Sequence, residues 1–219
     1  MRTDPFTDAW GFLIGATADH QALGAARYLI VALFIALLAA SAAIALANWR
    51  ADPGQRTAAH LWTWLFRVLL GIMWFQGSLW KLPLPDAAGL QYWTEQMAEH
   101  AAFPFYADLV RHVMLPHMTI VDPLVFLAEM GLAVSFMLGF AVKPIATLGA
   151  MYTLGLWIGL YRHPGEWPWE YIFLAVAQGL LAVHGAGRSL GLDGLIIQRR
   201  AGGRSHADAA KGTRTGGRI

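Results

Sequence analysis

The sequence predicts an all-α integral membrane protein with five transmembrane helices and a helical lid on the extracytoplasmic side. Two observations predict this class. Of the 219 residues, 57% are hydrophobic and only 14% are charged, whereas an ordinary soluble domain has about 25% charged residues. Five apolar segments are also close to the roughly 20 residues that a helix needs to cross a bilayer. The same composition excludes a disordered, fibrous or nucleic-acid-wrapping protein.

The five predicted spans are separated by short breaks. Their approximate ranges are residues 22–49, 60–82, 123–142, 144–161 and 169–185. The third to fifth each open with proline or a Trp/Pro cluster, which suits the first turn of a helix because the N–H that proline lacks is unpaired there. A cleaved signal peptide is the alternative for the first span, but its apolar region is too long and the segment before it too acidic.

Two segments are predicted to flank the membrane domain of residues 22–201, and a lid is predicted within it. Residues 1–21 form an extracytoplasmic N-terminal segment. Residues 83–122 mix aromatic side chains with acids and histidines, which indicates one or two short interfacial helices that form a lid over the outer mouth of the bundle. Residues 202–219 are rich in Gly, Arg, Ala and Ser without apolar periodicity, which predicts a disordered tail.

Basic residues predict the orientation. Arg50, Arg56, Lys143 and Arg188, together with the basic residues of the tail, fall on one side if all five helices cross. Loops rich in Lys and Arg stay in the cytoplasm. We therefore expect the N-terminus outside and the C-terminus in the cytoplasm.

Spans two and four share a faint internal similarity. The segment Leu70–Trp74 followed by Gly77 resembles Leu148–Tyr152 followed by Gly155. A duplicated two-helix hairpin that forms a pseudo-symmetric four-helix bundle, with span one outside it, explains the similarity. Chance is the alternative, because Ala, Gly and Leu are common in such helices.

Span two carries a stripe of polar and small residues. Arg67, Gly71, Trp74, Ser78 and Lys81 are spaced by four, three, four and three residues, which places them on one face of an α-helix. An ionisable side chain inside the bilayer costs about 2.5–3.5 kcal/mol on the insertion scale. We therefore expect this face to point into the bundle, although snorkelling of the two cations to opposite interfaces is an alternative.

Glu129 in span three is the expected countercharge, at a depth that both Lys81 and Arg67 are expected to approach. A polar pocket that opens outward beneath the lid follows from these positions. Its predicted lining is Arg67, Gln76, Ser78, Lys81, Glu129 and Gln178. The alternative is an ion pair and interhelical hydrogen bonds that only hold the bundle together.

Cofactor motifs are missing from the sequence. The chain has no cysteine, which excludes disulfides, thiolate zinc sites, Fe–S clusters and c-type haem attachment. The eight histidines show no zinc-ligand spacing, and no P-loop or dinucleotide-binding motif is present. His60 and His184 lie near the same ends of spans two and five, but two interfacial residues are a simpler interpretation than a haem clamp. The sequence therefore predicts no haem, metal or flavin.

Three segments resemble the DoxX/DoxD family of membrane proteins. Residues 67–81 are similar to the family's helix-two signature, which carries an Arg, two Gly and a Lys along one helix. Residues 166–171, Glu-Trp-Pro-Trp-Glu-Tyr, and residues 185–193, from Gly185 to Asp193, resemble the last span and its Gly-Gly-Arg-like exit turn with a Leu-Asp pair. The resemblance covers about residues 62–197, and the extra first span and the Trp-rich loop are more similar to DoxD than to the minimal DoxX.

The resemblance implies that the last four spans form a DoxX-like four-helix bundle in a bacterial or archaeal cytoplasmic (inner) membrane. It also implies a membrane subunit of thiosulfate:quinone oxidoreductase, which couples two thiosulfates into tetrathionate and passes two electrons to quinone. A DoxA-like or other redox subunit is then an expected partner, together with membrane lipid and quinone. Nucleic acid is not an expected partner.

On this interpretation Lys81, Glu129 and Arg67 form the catalytic group. The two cations bind a dianionic substrate, and Glu129 balances the empty site or takes the quinol proton. The expected substrate- and quinone-binding residues are Trp74, Gln76, Ser78, Gln178, Arg111 and Arg162. A non-catalytic membrane anchor or assembly subunit of a redox complex, and a small-anion transporter, remain compatible with the sequence.

Overall fold

A computed structural model describes residues 4–82, 84 and 88–200, and within these ranges the chain is helical without strands. We number the helices in chain order. They are α1 (Pro5–Leu13), α2 (Ala18–Ala22), α3 (Arg27–Ala51), α4 (Ala58–Ser78), α5 (Ala88–His100), α6 (Pro104–Leu109), α7 (Met118–Leu138), α8 (Val142–Leu160) and α9 (Pro168–Val183). The predicted tail, residues 202–219, lies outside the described residues, as do residues 1–3 of the N-terminal segment and residues 83 and 85–87 of the predicted lid.

Three helical segments are long and apolar enough to cross a membrane: Gly24–Ala51, Ala58–Lys81 and Pro104–Leu138. Helix α9 is also apolar but has only 16 residues. Large apolar side chains such as Leu29, Leu127 and Phe173 lie exposed on these helices, as expected where the solvent is lipid. The membrane class predicted from the composition is therefore supported by three of the five predicted spans.

The predicted lid differs from the structure in its second half. Helix α7 begins at Met118 and contains Pro123, at which the third span is predicted to begin. The preceding residues are helical as well, through α6, a π-helical turn at Val110–Met114 and a 3₁₀ turn at Leu115–His117. A proline inside a transmembrane helix is tolerated where neighbouring groups satisfy the freed carbonyl. Residues 104–122 therefore lead into the third span as one helical segment, and α5 is the helix of the lid that stands apart.

Helix α4 packs along α7, and α8 packs along α9. Glycine allows the close approach in each pair: a Cβ on Gly71 would lie 2.9 Å from the backbone nitrogen of Met137, and a Cβ on Gly149 would lie 2.6 Å from Leu132 and closer still to Gln178. These two glycines hold equivalent positions in the internal similarity. Such paired close packing is what a duplicated hairpin predicts.

We name the two ends of the helical array by the cations of α4. The Arg67 end is where α4 begins, and the Lys81 end is where α4 continues into a 3₁₀ turn, Leu79–Lys81. The N-terminal helices lie at the Lys81 end, because α2 contacts that turn. Phe12 of α1 packs edge-on against Phe34 of α3, with 4.9 Å between ring centroids. Helix α5 contacts the same turn and α8. The Lys81 end is therefore covered by short helices.

Candidate functional site: a polar cavity at the Lys81 end

Lys81 and Glu129 form a buried ion pair. The Nζ of Lys81 lies 2.6 Å from Oε2 of Glu129, and the two side chains are only 4% and 6% exposed. The same Nζ donates to the Gly77 carbonyl at 3.1 Å and lies 4.0 Å from the centre of the Trp80 ring. The structure thus brings these two predicted residues together, and the charge of Lys81 is held by a carboxylate, a carbonyl and an aromatic face.

Tyr152 of α8 adds a hydroxyl to this pair. It donates to Oε1 of Glu129 at 2.8 Å, so each carboxylate oxygen of Glu129 has its own donor. The Tyr152 ring also lies 5.8 Å from the Trp74 ring, centre to centre. Side chains from α4, α7 and α8 therefore meet at one hydrogen-bonded cluster.

A second carboxylate, Asp122, acts on the same cation. Its side chain is buried, and it is close enough to Lys81 to interact with it electrostatically. Asp122 and Glu129 are seven residues apart on α7, and this spacing of two turns puts them on one helix face. The sequence carried this signal, but placing the start of the span at Pro123 left Asp122 outside the helix.

The cluster borders a cavity of about 360 Å³ at the Lys81 end. Its ionisable lining groups are Lys81, Glu129, Glu166 and Glu170. Tyr171 also lines it and donates its hydroxyl to Glu166 at 2.7 Å. The rest of the lining is mainly aromatic and aliphatic, from Met73, Trp74, Trp80, Leu90, Trp93, Met97, Leu156, Leu160 and Leu174. The cavity is therefore apolar and aromatic with a small polar cluster, and its lining carries three carboxyl groups for one cation.

The structure does not bring Arg67 to this cluster, and the prediction that it approaches Glu129 is wrong. Arg67 is fully buried at the opposite end, where its Nη1 donates to the carbonyls of Phe136 and Met137. Arg67 and Lys81 are separated by about 21 Å along α4, at 1.5 Å per residue. The final carbonyls of α7, at the negative end of that helix, hold the guanidinium instead.

The other predicted binding residues divide between these two regions and the surface. Trp74 lines the cavity. Gln76 is exposed, because it lies one position beyond Phe75 and off the buried stripe. Ser78 is buried and donates to the Phe75 carbonyl of its own helix at 2.8 Å. Neither Gln76 nor Ser78 lines the cavity.

Gln178, Arg111 and Arg162 also lie away from the cavity lining. Gln178 is buried between α8 and α9, where its Nε2 donates to the Thr153 hydroxyl at 2.8 Å. Arg111 and Arg162 are exposed and donate to the carbonyls of Ala98 and Ala102, at 2.8 and 3.0 Å. These two cations hold the chain around the end of α5.

Sequence reasoning missed Tyr152 and Asp122. It also missed two acids, Glu166 in the loop before α9 and Glu170 in the first turn of α9. Tyr152 aligns with Trp74 in the internal similarity, but a tyrosine in an apolar helix gives no signal of its own partner. Glu166 and Glu170 belong to the segment that resembles DoxD. Their position on the cavity depends on how α9 packs against α8.

The residues of the exit turn form a second polar cluster, at the Arg67 end. Asp193 accepts hydrogen bonds from the backbone nitrogens of Ala141 and Val142, at 2.8 and 3.1 Å. The Leu190 nitrogen donates to Gln55 at 2.7 Å, and Asn48 donates to the Gly191 carbonyl at 3.0 Å. This cluster ties the chain after α9 to the ends of α3 and α8.

Among the described residues, no group of three or more His, Asp or Glu side chains is arranged to hold a metal ion. Comparisons of the chain with protein-family models, with curated proteins and with solved structures found no match. The resemblance to the DoxX/DoxD family therefore rests on the sequence motifs.

Proposed function

We propose that this protein is a DoxX-like membrane subunit of a quinone-linked oxidoreductase, and that the cavity at the Lys81 end binds the quinone head group. The observation that carries the proposal is the Lys81–Glu129–Tyr152 cluster at the edge of an aromatic cavity. Pockets for such ligands are mostly apolar with a few convergent polar groups. Trp74, Trp80 and Trp93 offer the flat apolar surfaces that a quinone ring needs.

The cluster suits the proton chemistry of a quinone. Reduction to quinol adds two electrons and two protons, one proton to each carbonyl oxygen. Lys81 has a third N–H, beyond those given to Gly77 and Glu129, that a quinone oxygen is able to accept. Tyr152 offers its single O–H to the quinone by turning away from Glu129, and Glu129 exchanges protons with both residues. Glu166 and Glu170 extend the line of carboxyl groups along the cavity and relay protons toward it.

The charges of the cavity indicate where thiosulfate, the electron donor that the resemblance implies, is oxidised. Oxidation of two thiosulfates forms one S–S bond and releases two electrons, so that two thiosulfates, one quinone and two protons give tetrathionate and quinol. A dianion inside this cavity would meet three carboxyl groups and one cation that Glu129 already neutralises, which is electrostatically unfavourable. We therefore propose that the sulfur anion is oxidised outside the cavity, on a partner subunit.

The five-span topology is part of the proposal. Contacts along α8 support it: Val142 meets Asp193 at the Arg67 end, and Tyr152 reaches Glu129 on the way to the Lys81 end. Helix α9 packs along α8, and both expose apolar side chains such as Leu148 and Phe173. Since basic residues flank the Arg67 end, this end is proposed to face the cytoplasm.

A non-catalytic anchor is the second candidate. It is favoured by the saturation of Glu129, both of whose oxygens are hydrogen-bonded within the protein, as in an ion pair that only joins helices. An anchor is expected to tolerate a neutral replacement of the pair without losing a ligand.

Binding and reduction of a ubiquinone with one isoprenoid unit, by protein in lipid nanodiscs, tests the proposal. The double variant Lys81→Met/Glu129→Gln removes both charges of the ion pair together. We expect it to stay monodisperse and to bind quinone about 100-fold more weakly, because two hydrogen-bond donors of about 1.4 kcal/mol each are lost or weakened.

Thr153→Val is the matched control. It removes a buried hydroxyl of α8 that bonds Gln178 and does not line the cavity, so quinone binding should be unchanged. A folded wild-type protein that binds no quinone would contradict the quinone proposal and favour the anchor function. Thiosulfate with the protein alone, compared with thiosulfate plus a partner subunit, then identifies where the donor reacts.

A further inference from the structure

A second pocket, of about 350 Å³, lies between α7 and α8 beside the polar cavity. We call it the side pocket. Its lining includes Leu127, Ala128 and Gly131 of α7 and Ile145, Leu148 and Tyr152 of α8. Apart from the hydroxyl of Tyr152, which points to Glu129, these side chains are apolar. Water has nothing to bond to there, so a hydrocarbon group is the natural occupant.

The side pocket opens toward the lipid. Leu127 and Leu148 at its edges are 62% and 60% exposed, and α7 belongs to a segment that is apolar enough to cross the membrane. Gly131 widens the opening, since a Cβ added there would meet no atom within 4 Å. A chain from the bilayer therefore has lateral access to the pocket.

Tyr152 lies between the side pocket and the polar cavity, because it lines both. One ligand with a polar ring in the cavity and a hydrocarbon chain in the side pocket would pass beside this residue. A membrane quinone has these two parts, whereas a water-soluble substrate has no chain to place there.

We propose that the side pocket holds the isoprenoid tail of the quinone, which enters sideways from the bilayer. This inference rests on the proposed function and deepens it, because it makes the substrate a long-tailed, lipid-soluble quinone. A phospholipid acyl chain is the competing occupant of the same pocket, and the experiment below distinguishes the two.

The test compares ubiquinones with one and with four isoprenoid units, at equal mole fractions in nanodiscs, on the wild type and two leucine variants. Gly131→Leu fills the side pocket from a position where the added atoms meet open space. Gly179→Leu is the matched control, since it adds the same side chain to α9 at a position that is also open and lines neither pocket.

We expect the wild type to bind the longer quinone at least tenfold more tightly than the shorter one. Gly131→Leu should lose this tenfold preference and keep its affinity for the one-unit quinone, while Gly179→Leu should keep both. That pattern would support the side pocket as the tail site.

Four results would overturn the inference. Equal affinities for the two quinones in the wild type, or equal behaviour of the two leucine variants, would remove the tail site and leave the proposed function standing. Loss of co-purified phospholipid from Gly131→Leu with quinone binding unchanged would assign the pocket to an acyl chain. A wild type that binds neither quinone would overturn the proposed function as well.

Discussion

Lys81 and Arg67 are two buried cations on the same helix, and they lie in opposite kinds of environment. Lys81 contacts a carboxylate beside a cavity, whereas Arg67 contacts the carbonyls that end α7 and lines none of the cavities described above. A carboxylate is able to take up or release a proton, and a backbone carbonyl is not. Both cations carry the same charge. The partner of the buried cation therefore distinguishes a candidate reactive group, Lys81, from a structural one, Arg67.

The Arg67 end is closely packed. Helix α7 ends at Gly139 in the left-handed conformation, with φ +71°, and a Cβ there would lie 2.6 Å from Nη1 of Arg67 and from the Cα of Gly191. The guanidinium, the helix end and the exit turn thus occupy adjoining space without room for a side chain. A cation at a helix C-terminus also interacts favourably with its dipole.

Arg67→Met should have the largest effect on stability. It leaves two of the last carbonyls of α7 buried without their donor, and each buried carbonyl that loses its hydrogen bond costs about 1–3 kcal/mol. At about 2–4 °C per kcal/mol for a chain of this size, the Tm should fall by roughly 10 °C or more. Thermal unfolding followed by size-exclusion chromatography measures this. A Tm within a few degrees of the wild type would show that Arg67 is not a structural lock.

Replacing Lys81 and Glu129 one at a time and then together should sharpen the contrast. Lys81→Met leaves the Glu129 carboxylate buried without its cation and should cost about 3 kcal/mol, with a similar cost for Glu129→Gln. The double variant should cost less than either single one, because neither member of the ion pair is left without the other. Single-variant costs that simply add in the double variant would show that the pair is not coupled.

Tyr152→Phe should have a smaller effect on stability and a clear effect on function. It removes one hydrogen bond to Glu129, worth about 1 kcal/mol, and one donor to the proposed quinone. Thiosulfate-dependent reduction of quinone, followed by stopped flow with the partner subunit present, should slow by about tenfold while the Tm changes by a few degrees. An unchanged reduction rate would exclude Tyr152 from the proton path.

The smallest expected effect is a pH dependence of stability in the short N-terminal helices at the Lys81 end. His20 of α2 is buried, its ring bonds the Thr17 hydroxyl at 2.6 Å, and burial lowers the pKa of His20 from its ordinary value of 6.5. The unfolded chain therefore binds the proton more readily than the folded one, so stability is present above about pH 6.5 and is lost as the pH falls through the lowered pKa.

Hydrogen exchange of residues 5–22 at pH 5 and pH 7.5 measures this effect. After division by the intrinsic exchange rate at each pH, protection of these amides should be lower at pH 5 than at pH 7.5 in the wild type. His20→Gln should show equal protection at the two pH values, and a remaining difference would place the titrating group elsewhere.

The two ends also differ in how far the sequence predicted them. The pairing of Lys81 with Glu129 follows from two ionisable residues in antiparallel apolar helices, since each one needs a partner inside the bilayer. The position of Arg67 does not follow, because helix-terminal carbonyls compete with carboxylates for a cation and carry no signature in the sequence. Gln178 is a similar case: its Nε2 donates to Thr153 across the helix interface, away from the cavity.

By itself, the sequence determined the membrane class, the positions of most helices and the need of Lys81 for a countercharge. These features depend on apolar content, on helical periodicity and on the cost of a charge in lipid, all of which are local or additive. Three features required the folded structure: Tyr152 completes the cluster, Arg67 bonds the last carbonyls of α7, and Tyr152 borders both the cavity and the side pocket. Those features depend on how one helix is rotated and shifted along another. Contacts between side chains from distant parts of the chain set this arrangement.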